Sequence, residues 1–219
     1  MNTTTKVAII GLGNIGKAIA SDLTKGNYPV ILASRELGQA QELSSHLGAS
    51  TTPMEIAEAI KEADVIIPTI YYDKIKEFLK TYAQELQGKI IIDVSNPIAP
   101  DENGGFKKII SENESAGKNL SALLPPNSIL VKAFGTLAAA TLTNAAFNIP
   151  ERKVLFYASD NIKTNKVVEE LITASGFVPF HIGGIDQSIR IEVFGDLHEF
   201  GALGKTVTLD EARQIVTNS

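Results

Sequence analysis

The chain has 219 residues, 44% hydrophobic and 21% charged, with a formal net charge of -5. That is enough apolar material for one large α/β domain, and the negative balance argues against a nucleic-acid partner, whose phosphates need a basic surface. With no cysteine, disulfides, thiolate metal sites and thiol nucleophiles are excluded. No apolar run approaches the roughly 20 residues of a membrane helix, and Met1–Lys6 carry no leader signal, so neither membrane nor export is indicated and a cytoplasmic location is expected.

The first strand is Val7–Ile10, apolar throughout, as in a parallel sheet covered on both faces. Gly11-Leu12-Gly13-Asn14-Ile15-Gly16 follows it and opens a helical pattern with Ile15, Ala18, Ile19 and Leu23. This is a dinucleotide-binding turn in its required setting. The first glycine permits the tight turn, the second lets a pyrophosphate approach the backbone, and the third lets helix and strand pack closely. A second strand, Val30–Ala33, ends where an NAD-binding protein presents an acid to the ribose diol. Here Ser34 and Arg35 stand instead. A hydroxyl donor and a planar cationic fork suit a 2'-phosphate, so NADP(H) is expected over NAD(H), although Glu36 next door could instead reach the ribose.

Further β-branched runs follow at Val65–Ile67, Lys89–Asp93, Ile129–Ala133, Val154–Ala158 and Phe177–His181, separated by stretches long enough for crossover helices. The reading is a Rossmann-like, doubly wound, mostly parallel sheet. It takes residues 1–219 as a single NADP-binding domain, with a dinucleotide-binding core to about residue 150 and a sheet-extending segment after it. Ligands bind at the carboxyl ends of such strands. This singles out Thr69, Ile70, Tyr71 and Tyr72 after the third run, Ser95, Asn96 and Pro97 after the fourth, and Ala133, Phe134 and Gly135 after the fifth. Tyr71 and Tyr72 could flank a ring or pack under a loop. Asn96 could bond a carboxamide or form an Asx turn before Pro97. Asn96 to Asn127, rich in proline and glycine, is a long excursion with one weak helical pattern over Ala116–Leu124.

Asp160 is placed to cap the next helix, and Thr208-Leu209-Asp210-Glu211 is a capping box opening a short last one. Ile185, Ile189, Val193, Leu197 and Phe200 recur at helical spacing. On that helix Asp196 and His198 diverge, Glu192, Asp196 and Glu199 form an acidic stripe, and no metal site is expected. Lys132 is assigned no catalytic role, its expected use being a salt bridge or an exposed stem.

Taken together, Gly11–Gly16, Ala33-Ser34-Arg35, Ile90–Pro97, Val131–Leu137 and Gly176–Gly184 resemble the NADPH-dependent reductases of the deazaflavin coenzyme F-420, whose fold is shared by the cytosolic domain of membrane ferric reductases. The likeness covers roughly the first 190 residues in the usual order of elements. It implies a hydride passed between NADPH and a flavin-like acceptor (coenzyme F-420, FMN or FAD) stacked near the nicotinamide, usually in a homodimer. Tyr72, Phe134 and Gly135 would line the acceptor side. No catalytic acid or base is implied, because such a transfer needs alignment more than proton relay. The sequence departs from the family in having Ile70-Tyr71-Tyr72 where an Ile-Pro-aromatic turn is usual, and Phe134-Gly135 where a polar residue is frequent. A dehydrogenase of a small hydroxy acid or imine, and a noncatalytic NADP-binding module, are the alternatives. The former usually builds its site from a helical domain after the Rossmann core, and only about 70 residues follow here.

Overall fold

The structure, a computed structural model, describes residues 5–218. The part of the leader reading that rests on Met1–Thr4 lies outside them. In chain order the elements are β1 (Val7–Ile10), α1 (Asn14–Lys25), β2 (Val30–Ala33), α2 (Leu37–Leu47), β3 (Thr51–Pro53), α3 (Ile56–Glu62), β4 (Val65–Pro68), α4 (Tyr72–Thr81) and β5 (Ile90–Asp93). Then come β6 (Ile98–Pro100), β7 (Phe106–Lys108), α5 (Ala116–Ser121), β8 (Ile129–Lys132), α6 (Ala139–Ala145), β9 (Val154–Ser159), α7 (Ile162–Ala174), β10 (Val178–His181), a 3-10 helix (Ile185–Ile191) and α8 (Leu209–Asn218).

Eight strands form one sheet in the order β10-β9-β8-β5-β4-β1-β2-β3. From β3 through β8 every neighbouring pair is parallel. The chain winds outward from β1 to β2 and β3, then crosses back to β4 and β5. The winding therefore reverses between β1 and β4, which opens the ligand crevice of such sheets at their carboxyl edge. Side chains alternate across the pleat. Val7, Ile9, Leu32, Ile67 and Ile92 pack with α1, α6 and α7 on one face, while Ala8, Ile10, Ile31, Ile66 and Ile91 pack with α3, α4 and α5 on the other. This two-sided burial explains why the strands are apolar throughout.

Antiparallel pairing of β8 with β9 and parallel pairing of β9 with β10 bring the C-terminal segment into the same sheet. Their carboxyl ends, with Asp160 and His181, consequently lie at the edge opposite Gly11. Val154, Phe156 and Ala158 are covered by Ile191, Leu197, Val207 and Ala212.

All seven strands read from the sequence are present. Three more appear: β3 at the sheet edge and the antiparallel hairpin β6–β7 inside the excursion. The helix expected over 185–200 is a 3-10 turn followed by irregular chain. A Cβ on Gly195 would lie 2.4 Å from Arg190 O and one on Gly201 would meet Gly195 O, so the backbone folds on itself in a way that suits glycine. Asp160 is not the cap of α7. Asn161 is, accepting from Lys163 N at 2.9 Å, whereas Asp160 Oδ1 accepts from Ile185 N at 2.9 Å. The capping box is present, with Thr208 N donating to Glu211 Oε2 at 2.8 Å.

Candidate functional site

The glycine turn sits at the switch point. Gly11 has φ +101°, and its N–H donates to Ala33 O at 2.8 Å. A Cβ on Gly16 would lie 2.1 Å from Gly11 O and 2.6 Å from Thr69 Oγ1, so the third glycine is what lets α1 start this close to β1. Gly13 differs: a Cβ there meets nothing within 4 Å. Gly13 is also the N-cap of α1, with no side-chain cap and no acid in the first turn. The first N–H groups of a helix have no intrahelical partner and carry a partial positive charge. An open, uncapped helix start beneath empty space is the cradle a pyrophosphate requires, so these residues fit the dinucleotide. Leu12 is buried in the core, Asn14 is exposed and Ile15 packs at the core's margin.

At the end of β2, Arg35 is exposed and borders a cleft of about 320 Å³ with Ser34, Glu55, Ile56, Ala57 and Tyr82. Ser34 is buried, and its hydroxyl donates to Glu36 O at 2.6 Å. The donor expected for a phosphate is thus spent on the local turn, leaving the Ser34 oxygen as an acceptor. That places the anion-binding burden on the Arg35 guanidinium.

After β4, the Thr69 hydroxyl donates to Gly11 O and so fastens this loop to the glycine turn. Ile70 Cγ2 would touch a Cβ on Gly11 at 3.0 Å. Tyr71 is 82% exposed and Tyr72 only 3%. Tyr72 opens the apolar stripe of α4 with Ile75 and Leu79, which face the sheet. Its side chain therefore lies in the core, although the resemblance would have it line the acceptor side.

The ends of β5 and β8 are cross-linked. Lys132 and Asp93, partners in register, form an ion pair of 2.8 Å at 1% and 0% side-chain exposure. The lysine also donates to Ser95 O, and Ser95 N donates to Asp93 Oδ1 at 2.9 Å. This is the salt bridge the sequence allowed, with the stem buried. Pro97 and Ala133 are buried too. Asn96 makes neither an Asx turn nor an open hydrogen-bonding group: Nδ2 donates to Gly135 O at 2.9 Å and Oδ1 accepts from Val193 N at 2.7 Å. Phe134, with φ +60°, is 1% exposed within the core, and a Cβ on Gly135 would lie 2.7 Å from Val94 O. The Phe134 ring consequently faces inward, and Gly135 offers its backbone alone.

His198 and Glu199, read from the sequence only as parts of a helix, and the hydroxyls of Ser95 and Thr136 complete this edge. His198 is buried; Nδ1 accepts from Phe200 N at 3.0 Å, so Nε2 carries the proton and meets Gly135 O at 3.0 Å. Burial lowers its pKa to about 4, the Lys132 charge adding to this and the Gly135 hydrogen bond opposing it. Glu199 accepts from Ala138 N, and Glu199 N donates to Thr136 O at 3.2 Å. The hydroxyls of Ser95 and Thr136, residues 6% and 2% exposed, have no hydrogen-bond partner. The expected acidic stripe dissolves: Glu192 is buried against α5, Asp196 pairs with Arg190 at 2.7 Å, and Glu199 serves the loop. Among the described residues no three His, Cys, Asp or Glu side chains converge on a metal position, and no helix is long and apolar enough to cross a membrane.

This geometry agrees with the comparison to known proteins. Residues 6–97 match the family model described as NADP oxidoreductase, coenzyme F420-dependent. Over that stretch the chain is similar to the family. The chain is 29% identical over 187 residues to the metalloreductase STEAP3 of Rattus norvegicus, an alignment covering 85% of this chain and 36% of the rat protein, so it spans about a third of that relative. It is 24% identical over 202 residues to the F420-dependent NADP reductase of Methanocaldococcus jannaschii, covering 88% of this chain and 90% of the other. The crystal structure of a hypothetical protein from Sinorhizobium meliloti superposes with a TM-score of 0.81 at 29% identity, covering 93% of this chain and 95% of that one. Fold and sequence likeness are those of NAD(P)-dependent oxidoreductases.

Proposed function

We propose that the protein transfers a hydride between NADP(H) and a flavin-like acceptor, either the deazaflavin coenzyme F-420 or a flavin such as FMN or FAD. The observation that carries this reading is the uncapped start of α1 at Gly13, open above and flanked by the exposed Arg35. In it the N–H groups of Gly13 to Gly16 hold the pyrophosphate, Arg35 holds the 2'-phosphate, and Thr69 keeps the turn in place. When bound, the nicotinamide supplies or takes up the two electrons and one proton of a hydride, and water exchanges the second proton with the acceptor. The carboxyl edge near Tyr71, Ser95 and Gly135 aligns the two rings. The same reading takes the chain as one domain, working in the cytoplasm as a homodimer.

The test follows NADPH absorbance with coenzyme F-420, FMN, FAD, ferric chelates and quinones in turn. Oxidation with one of the first three supports the reading. NADPH binding without turnover of any acceptor makes the protein a binding module instead. In Arg35→Ala, the loss of a charge-assisted hydrogen bond of roughly 1.5 to 3 kcal/mol weakens NADPH by about 10- to 100-fold and leaves NADH nearly unaffected. Equal losses for both nucleotides would assign Arg35 to the fold.

A further inference from the structure

Strands β5 and β8 pair through apolar residues for most of their length. Ile90 pairs with Ile129, Ile91 with Leu130 and Ile92 with Val131, but the last partners in register are Asp93 and Lys132. Their side chains are 0% and 1% exposed and meet at 2.8 Å. Taking two charges out of water costs about what their attraction returns, so well-packed apolar residues would hold the two strands at least as well. Cohesion of the sheet does not call for an ion pair at this point.

What the pair does organise is the turn that leaves β5. The backbone ladder ends with Ala133 N donating to Asp93 O at 3.2 Å. Beyond it, both backbone groups of Ser95 are taken by side chains of the pair: its N–H donates to Asp93 Oδ1 at 2.9 Å, and its carbonyl accepts from Lys132 Nζ. The next residue, Asn96, is tied to Gly135 O at 2.9 Å. The chain therefore leaves the sheet at a height set by one buried ion pair. The strand order fixes what passes over this turn. Arg35 holds the adenosine end beside β2, so from the glycine turn after β1 the other half of the dinucleotide must run the opposite way, across β4 toward β5. With strands about 4.8 Å apart, β5 stands roughly 10 Å from β1, within reach of the nicotinamide half.

We propose that Lys132 and Asp93 are positioning residues for the nicotinamide: acting through the backbone of Ser95, the pair sets the turn 94–97 at the height where the nicotinamide half of NADP(H) lies against it. Neither side chain touches the cofactor. This rests on the reading that NADP(H) occupies the glycine turn, and it separates the pair from the pyrophosphate and 2'-phosphate contacts, which are made on other strands.

The experiment compares two probes on the full chain: NADPH, and 2'-phospho-ADP-ribose, which has the same phosphates but no nicotinamide. The wild type is expected to bind NADPH the more tightly and to shift its emission to the blue, as a dihydronicotinamide held out of water does. Lys132→Met combined with Asp93→Asn removes both charges together and leaves no charge buried alone, so its melting temperature should stay near that of the wild type. In it NADPH affinity should fall by about 5- to 10-fold, with the emission returning toward that of the free nucleotide, while 2'-phospho-ADP-ribose stays within about two-fold. Asp93→Asn alone keeps the volume and an acceptor for Ser95 N, and should show the same selectivity with a smaller loss of about 2- to 4-fold; it carries the test if the double variant does not fold. Unchanged NADPH affinity and emission in the folded variant, equal losses for both probes, or a wild type that binds the two alike would overturn the proposal. A wild type that binds neither probe would remove the cofactor reading itself, and Gly13→Val distinguishes the two failures, since it should weaken both probes together.

Discussion

The three glycines of the turn do different work, and the difference decides which substitution tests the site. A side chain at Gly11 or Gly16 would strike the backbone of the neighbouring loop or turn, so losses there would mix folding with binding. Gly13 has φ -74° and open space where a Cβ would stand, so Gly13→Val keeps the fold while its methyl groups occupy the volume above the helix start. The expected result is loss of NADPH binding by at least about 100-fold with an unchanged melting temperature. Undiminished affinity in the folded variant would mean that no pyrophosphate sits there. Position along the chain was readable at this scale, but side-chain orientation was not. Tyr71 and Tyr72 are adjacent and chemically alike, and only the phase of α4, set by Ile75 and Leu79, sends Tyr72 into the core. Asn96 was legible as a residue at a strand end. Its two partners, Gly135 and Val193, lie far along the sequence and could not be read from local pattern.

Among the elements, six of the seven strands were visible because apolar runs buried on two faces have few other uses, and the partly buried edge strand β10 because it repeats the strand–helix–strand spacing. The missing three have physical reasons. β3 is three residues, Thr51-Thr52-Pro53, on a sheet edge, where proline is tolerated and apolar pattern is not required. The hairpin β6–β7 includes Pro100 and turns at Gly104 and Gly105, which resembles loop composition. The stretch 185–200 misled because its apolar residues do recur at helical spacing; Gly183, Gly184, Gly195 and Gly201 were the contrary signal. Its real organiser is Glu192, whose carboxylate accepts from Ala116 N, Gly117 N and the Ser115 hydroxyl, each at 2.9 Å. One side chain thus joins α5 to the C-terminal loop. In Glu192→Gln an amide N–H must face one of these donors in a buried place, with an expected loss of roughly 1 to 3 kcal/mol in urea unfolding. NADPH affinity should survive. An unchanged urea midpoint would show that α5 and the loop hold Glu192 rather than the reverse.

For the whole molecule, two buried groups set opposing pH dependences. His198 stays neutral in the folded chain down to about 4, whereas in the unfolded chain it takes a proton below its ordinary 6.5. Between those values the unfolded state holds the extra proton, so acidification erodes stability, by about 3 kcal/mol at the limit. Asp22, buried on α1, behaves oppositely. Burial raises its carboxyl to about 7 from 3.8, the Lys25 charge partly countering it. Between pH 3.8 and 7 the folded state holds the extra proton, so a stabilising contribution present at acid pH is lost as pH rises through 7. The two slopes oppose one another across most of the same window, and the wild type should show a shallow stability profile from pH 4 to 6.5. Asp22→Asn removes one of them. Its melting temperature should match the wild type's near pH 4, rise above it progressively to pH 7, and keep a constant advantage beyond. The variant alone should also fall steeply in acid, because the His198 contribution is no longer masked. Calorimetry of both proteins at fixed ionic strength from pH 4 to 8.5 checks this; an advantage independent of pH would trace the effect to packing around α1 and not to ionisation. Because His198 does not titrate near neutrality, its hydrogen bond to Gly135 persists through that range, and the pH profile of acceptor reduction should show no inflection near 6.5 arising from it.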